Sequence, residues 1–342
     1  MLKLPQIKLK IQQIYSAIHN KAPKFNFKTI YPIDSWTKLI FVGTLVFVCL
    51  YYPLGALFSS NINTDTSYEP SQKSSKSAII DTASYIIYRE VYVNSWTPSL
   101  PFIFPASMLD NMPAFQLGLM SAVNKTISTL EQIERLEVAA TNNKHPLQIA
   151  AELLRYPGTI WMFSSDNKLI PAPSSNSQYR KARKQLQKYS QLLNEGRAIY
   201  TTDAQSLKAI LQKIEQDLIS CATQTETHIR EHSSDFFDFN ADSIFFYEQG
   251  KLYGYYLLLK SATLDYKNIL LQYEIYPSWT TLLRTLQDAS EINPFIIRNA
   301  NRESSFAPNH LIGLDNYTLK AAYTIQKIIK NISLHQLTGD AK

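Results

Sequence analysis

An uncharged run of twenty residues, Leu39 to Phe58, constrains this chain more than any other feature. At about 1.5 Å of rise per residue, a helix of that length extends roughly 30 Å, the thickness of the hydrocarbon core of a bilayer. Twelve of its members are Leu, Ile, Val or Phe. Each favours insertion by roughly 0.3 to 0.6 kcal/mol, so together they supply on the order of 4 to 7 kcal/mol with no charge to oppose it. Trp36, Tyr51 and Tyr52 lie towards the ends, where amphipathic rings prefer to sit, and Pro53 and Gly55 fall in the last turns. The spacing predicts a membrane-spanning helix over 39–58. A leader of 38 residues and an exit reading Ala56-Leu57-Phe58 are unlike a cleaved signal peptide, so an uncleaved signal anchor is expected.

Residues 1–38 hold seven lysines against one acid, Asp34, and thereby carry the whole of the chain's net charge of +6. Everything beyond the run is neutral. A sequence pI of about 9.0 would otherwise point to nucleic acid, but a charge confined to the leader indicates instead how the chain crosses a membrane, and no nucleic-acid partner is expected. The lysine side is expected in the cytoplasm and residues 59–342 on the opposite face. Within the leader, Ile7, Ile11, Ile14 and Ile18 share one helical face after Pro5, with Lys8, Lys10 and Lys21 off it. This pattern predicts a basic amphipathic helix lying on the anionic inner leaflet. The lipid bilayer, met through Leu39 to Phe58, is thus the first expected partner.

Ser59 to Ser77 contain seven serines and few apolar residues, the composition of a flexible tether with a reach of roughly 25 Å. From Ala78 onward the periodicity is helical. Ile79, Ala83, Ile86 or Ile87, and Glu90 recur at helical spacing. Asn111 and Pro113 mark a helix start, and Leu119, Val123, Ile127 and Leu130 provide its inner face. Pro146 opens a shorter helix that Pro157-Gly158 stops. Residues 159–178, with Pro171 and Pro173, form the expected sub-boundary between two helical halves, although Ile160, Trp161, Met162 and Phe163 are too apolar for a free linker.

Ala182, Leu186, Tyr189 and Leu193 step by 4, 3 and 4 before Gly196. Thr202 and Gln205 form a capping-box pattern. Beyond it Leu207, Leu211, Ile214, Leu218, Cys221, Thr225, His228 and His232 repeat the coiled-coil spacing, predicting an antiparallel hairpin of two helices. Asp242 is the expected cap of a long aromatic helix over 243–272, apolar nearly all round and therefore central. A terminal helix is expected over 315–334. The expected fold is all-α: one N-terminal transmembrane helix, then an elongated helical domain over 78–342 with a coiled-coil-like hairpin. Cys221 is the one cysteine beyond the span and reads as a buried seam residue.

Three stretches carry candidate chemistry. His228-Ile229-Arg230-Glu231-His232 matches H-x-x-E-H, in which two histidines one turn apart bind zinc and the glutamate activates water. A third protein ligand is required, and Glu248, Glu274, Glu291 and Glu303 are available without any being singled out. Both histidines also fall where a polar pair ends the apolar seam. Asp238-x-Asn240-x-Asp242 begins like a calcium loop, yet Ser243 stands where glycine is needed and Gln249 at the twelfth position. Arg302 to Asn309 superficially resembles the glutamate motif of lytic transglycosylases, but the Gly-Leu-Met-Gln segment that should follow is absent at His310 to Gly313. The lysines and arginines at 180, 181, 183, 184 and 188 read as a solvated helix face. Nine glycines include no phosphate-cradling loop. No residue is assigned a catalytic, metal-binding or cofactor-binding role, and no cofactor is expected.

Asp110-Asn111-Met112-Pro113, Phe246-Tyr247-Glu248 with Gly250, and Ala307-x-Asn309-His310 running into Asp315-Asn316-Tyr317 follow the single span. In this combination the chain resembles domain of unknown function family 2333, uncharacterised proteobacterial inner-membrane proteins, over most of its length. The resemblance implies a Gram-negative inner-membrane protein with a periplasmic helical domain and supplies no catalytic residue. The H-x-x-E-H stretch lies outside those three segments. The expected function is non-catalytic, a periplasmic domain that binds or positions another cell-envelope component. The alternative is a membrane-anchored zinc metallopeptidase using His228, His232 and Glu231, and a glycan-binding protein is a third class.

Overall fold

The computed structural model describes residues 35–70, 76–137, 145–163, 171–232, 240–293 and 310–339. Residues 1–34 of the leader with the isoleucine stripe, Asp238, and the stretch from Arg302 to Asn309 with Glu303 lie outside the described residues. Among those described the fold is all-α. The helices are α1 (Ser35–Ser59), α2 (Ala78–Tyr88), α3 (Asn111–Glu137), α4 (Pro146–Leu154), α5 (Ser175–Asn194), α6 (Ala204–His232), α7 (Ala241–Asp265), α8 (Lys267–Gln272), α9 (Tyr276–Ser290) and α10 (His310–Gly339). A single antiparallel bridge, Phe163 to Pro171, is the one extended pairing among them. The chain divides into two compact units, Met1–Tyr51 and Tyr52–Lys342.

Helix α1 contains the candidate membrane span, Trp36–Leu57, with mean hydropathy 2.0 and none of its most apolar window buried by protein. A soluble core helix of this composition would be covered by protein, whereas this one leaves its Leu, Ile and Val side chains exposed and is long and apolar enough to cross a membrane.

The second unit is built around α7. Seventeen of its twenty-five residues are buried, which fulfils the expectation of a central aromatic helix. It lies against α3 most extensively and also against α2, α9 and α10. Glycines set the α3–α7 distance. A Cβ on Gly118 would land on the Tyr247 carbonyl, and one on Gly250 would land on the Phe115 carbonyl. Gly254 faces Ala122 and Leu119 in the same way, so the small residues 118/122 and 250/254 let two backbones approach at a spacing that larger side chains forbid. Asp265 at the end of α7 accepts the Ala78 and Ile79 amides at 2.8 and 3.1 Å, and the Tyr200 hydroxyl at 2.9 Å. The orphan N–H groups and positive end of α2 are thereby satisfied by a carboxylate from another helix.

Several sequence expectations are corrected. Helices α5 and α6 do not pair as a hairpin. Their apolar stripes are buried as expected, but α5 packs on α2 and α4 while α6 packs on α10 and α3. A 4,3 stripe specifies one apolar face and leaves its partner open. Nor does 59–70 hang as a tether. Tyr253 donates to the Asp65 carbonyl at 2.6 Å, Tyr256 and Lys260 to that of Thr66, Thr66 donates to Glu291, and Tyr68 stacks on Tyr85 at 4.1 Å. Serine content concealed a segment whose carbonyls meet donors on α7; residues 71–75 lie outside the described set. The described ends of the break expected near 159–178 are also packed. Ile160 is buried, the Trp96 indole donates to Gly158, and the Ser175 hydroxyl donates to Pro157 and Ile160.

Local starts shift by one or two residues. Asp203, not Thr202, caps α6 by accepting the Ser206 amide at 2.6 Å, and the Asp110 carboxylate bonds the Asn111 amide at the head of α3. Helix α7 begins at Ala241, which puts Asp242 in its first turn, and it breaks at Tyr266. Gly196, with φ of +70°, ends the α5 region as expected.

Candidate functional site

Two buried polar clusters flank α7. In the first, α2 passes into a π turn, Arg89–Val93, closed by the Asn94 amide on the Arg89 carbonyl at 2.8 Å. The wide turn lets two consecutive charged residues both point inward, with Arg89 5% and Glu90 1% exposed. Arg89 Nε bonds Glu90 Oε1 at 2.7 Å, and its NH1 bonds the Tyr253 hydroxyl at 2.7 Å. Glu90 also receives Gln116 Nε2 at 3.1 Å and Asn94 Nδ2 at 3.3 Å, while Gln116 Oε1 accepts from Thr97 twice. Burial opposes the guanidinium charge, but the Glu90 carboxylate and the Tyr253 phenol outweigh it and hold the Arg89 pKa above its ordinary value. The cluster is closed, and all its polar atoms but Arg89 NH2 find partners, which gives it the character of a clamp joining α2, α3, α7 and the 60–70 strap.

The second cluster joins α6, α7 and α10. Glu248 is wholly buried and accepts the Thr225 hydroxyl at 2.9 Å and the Thr318 hydroxyl at still closer range. Next to it, Lys251 pairs with Asp217 at 3.0 Å, which also accepts Tyr255 Oη at 2.7 Å. Burial raises the Glu248 pKa from 4.5 to about 7; the two threonine hydroxyls and Lys251 oppose the rise, and Asp315 adds to it. A carboxyl titrating near neutrality is a proton donor or acceptor in waiting. Burial likewise pushes the Cys221 thiol up to about 12, so it is no nucleophile. Beside this cluster opens a cleft of about 610 Å³, lined by Cys221, Thr225, His228, Glu231, Ser243 and Tyr247 among others.

Stability should report the Glu248 titration. Its folded pKa is the higher one, so the native state binds more protons and stability falls as pH rises from about 4.5 through about 7. The penalty is complete above that window and amounts to on the order of 3 kcal/mol. Denaturant unfolding of Glu248→Gln at pH 5 and pH 8 is expected to show this part of the fall abolished. An unchanged fall in the variant would assign it to other groups.

The H-x-x-E-H histidines are brought together, their ring centroids 4.5 Å apart on the last turn of α6. The described glutamates available as a third zinc ligand are not gathered with them: Glu248 serves the threonines, Glu291 receives Thr66 and Gln287, and Glu274 sits in the turn after α8. Among the described residues no group of three or more His, Cys, Asp or Glu is assembled to hold a metal. Of the calcium-like stretch, Asn240 and Asp242 stand at the start of α7. On the basic face of α5 the lysines are exposed, while Arg180 lies 4.3 Å over the Tyr92 ring and Arg183 4.8 Å over Tyr88.

The Arg89–Glu90–Gln116 cluster went unread in the sequence. Its signal was Glu90 on the stripe of Ile79, Ala83 and Ile86, a buried position at which a carboxylate requires a cation. Gly250-x-x-x-Gly254 was the corresponding signal for the close α3–α7 crossing.

No curated protein and no solved structure matches this chain. Residues 36–235 match the family described as "Uncharacterized protein conserved in bacteria (DUF2333)". That range runs from the apolar helix to just past α6 and takes in Asp110–Pro113 and the H-x-x-E-H stretch; the resembling segments at 246–250 and 307–317 lie beyond it. With more than half of its length covered from α1 onward, the chain belongs to the DUF2333 family.

Proposed function

We propose that this chain is a single-pass protein of the bacterial inner membrane, its leader in the cytoplasm and its helical domain over 78–342 in the periplasm. There the domain binds or positions another envelope component without catalysing a reaction. The observation that carries this reading is α1, apolar over Trp36–Leu57 and uncovered by protein, preceded by a leader that holds the entire net positive charge. Lysines on one flank of a span retain that flank in the cytoplasm. The buried clamps around α7 further support a rigid platform: Glu90 and Glu248 are both occupied in holding helices together.

Fusing alkaline phosphatase, active only after export, to the C-terminus is expected to give an active enzyme in intact bacteria. A fusion active only as a cytosolic reporter would overturn the topology. Metal content of the purified full-length chain tests the non-catalytic part. Substoichiometric zinc is expected, and one zinc per chain lost on His228→Ala would overturn this part and favour the metallopeptidase alternative instead.

A further inference from the structure

We infer that the loop between the π turn and α3, residues 98–109, is a second membrane contact, its apolar side chains entering the leaflet at the C-terminal end of α1. The inference rests on the reading that α1 crosses the bilayer. Four large apolar side chains of this loop face outward: Phe102 is 79% exposed, Ile103 51%, Phe104 40% and Met108 67%. No charged residue occurs between Glu90 and Asp110. So concentrated an apolar surface marks a contact with something other than water.

Its position identifies the occupant. Tyr52 Oη donates to the Phe102 carbonyl at 3.0 Å. The Pro105 ring fills the notch at Gly55, where a Cβ would overlap it. Tyr52 and Gly55 both belong to the apolar span that ends at Leu57, and Tyr52 lies roughly 7.5 Å inside that end along the helix axis. Whatever surrounds the last turns of the span therefore also surrounds the loop, and around a single-pass helix that is lipid.

The backbone suits the same place. Pro98, Pro101 and Pro105 have no N–H to leave unsatisfied. The amides of Leu100, Phe104, Ser107 and Leu109 bond within successive turns, to Thr97, Pro101, Phe104 and Ala106. Paired amides and absent donors lower the cost of approaching hydrocarbon. Aromatic and aliphatic side chains on such a loop resemble the apolar face of an interfacial anchor.

Depth-dependent quenching of an environment-sensitive dye tests the inference in the full-length chain, reconstituted into phosphatidylcholine vesicles with and without lipid spin-labelled on the acyl chain. Cys221, buried and with its thiol pKa raised to about 12, stays unlabelled, so single sites are available. The dye goes on native Cys49 in the span, or on Ile103→Cys or Ile199→Cys, each in a Cys49→Ser background. Ile199, 57% exposed and far along the chain, is the water reference. Blue-shifted emission and strong quenching are expected at 103 as at Cys49, with neither at 199.

Quenching at Cys49 with residue 103 behaving like residue 199 would overturn the loop proposal and leave the anchor standing. No quenching at Cys49 would overturn the anchor, and the loop proposal with it. Met108→Cys repeats the measurement at the far side of the loop, guarding against a local disturbance at Ile103.

Discussion

Alanine at Glu90 is expected to destabilise the helical unit by about 3 to 5 kcal/mol, the range for removing one partner of a buried ion pair. The cost comes from what remains. Arg89, 5% exposed, would keep its charge in the core with only the Tyr253 hydroxyl opposite, and the Gln116 and Asn94 amides would each lose an acceptor. Unpaired buried donors cost about 1 to 3 kcal/mol apiece before relaxation, so several orphaned at once exceed what a single lost contact suggests. Denaturant unfolding of the detergent-solubilised chain measures the loss. The double variant Arg89→Met/Glu90→Leu should recover most of it, since it removes both charges and fills the space. A Glu90→Ala midpoint within experimental error of the parent would show that the pair is not desolvated as described.

Gly250→Ala is expected to cost about 3 kcal/mol or more, at the top of the range for overpacking, because the added methyl meets the Phe115 carbonyl rather than a side chain that can swing away. Helices α3 and α7 would have to separate, loosening Leu119, Val123, Leu252 and Tyr253 along their contact. The informative comparison is Gly313→Ala in α10. Nothing lies within 4 Å of where that Cβ would be, so helix propensity alone acts and stability should rise by up to about 1 kcal/mol. Thermal unfolding of the two variants should therefore move in opposite directions. Equal shifts would mean that the close α3–α7 crossing is not under steric control.

The distance between what was legible and what was not follows the range of the interactions. The span at 39–58, the helical character from Ala78 onward and the burial of the 182–193 and 207–225 stripes are set by neighbours within a turn or two, and all are readable along the chain. The cap of α6 was read one residue early, at Thr202, because Asp203 competes for the same orphan amides. The hairpin failed for another reason. The stripes of α5 and α6 are real, but a stripe carries no address, and each found a better partner elsewhere in the fold.

The candidate sites divide in the same way. The H-x-x-E-H spacing was visible because its residues lie on one helical turn, and the structure does bring the two rings together. Glu248 was visible only as one of several available glutamates. Its pKa of about 7 comes first from burial, with Asp315 of α10 adding to the rise and the hydroxyls of Thr318 and Thr225 opposing it, and none of this exists before the helices pack. The Arg89–Glu90 clamp depends on a π turn that no local propensity announces.

By itself, then, the sequence determined that this chain carries an N-terminal helix long and apolar enough to span a membrane, with all the net charge ahead of it, and a helical body behind. Hydropathy and helical periodicity are sums over adjacent residues and need no knowledge of the fold. Only the tertiary structure decided which apolar faces meet, that Asp65 and Thr66 are strapped down on α7, and that a carboxyl in the core titrates near neutrality. Those outcomes depend on burial and on partners brought together from far along the chain, and neither exists until the helices have packed.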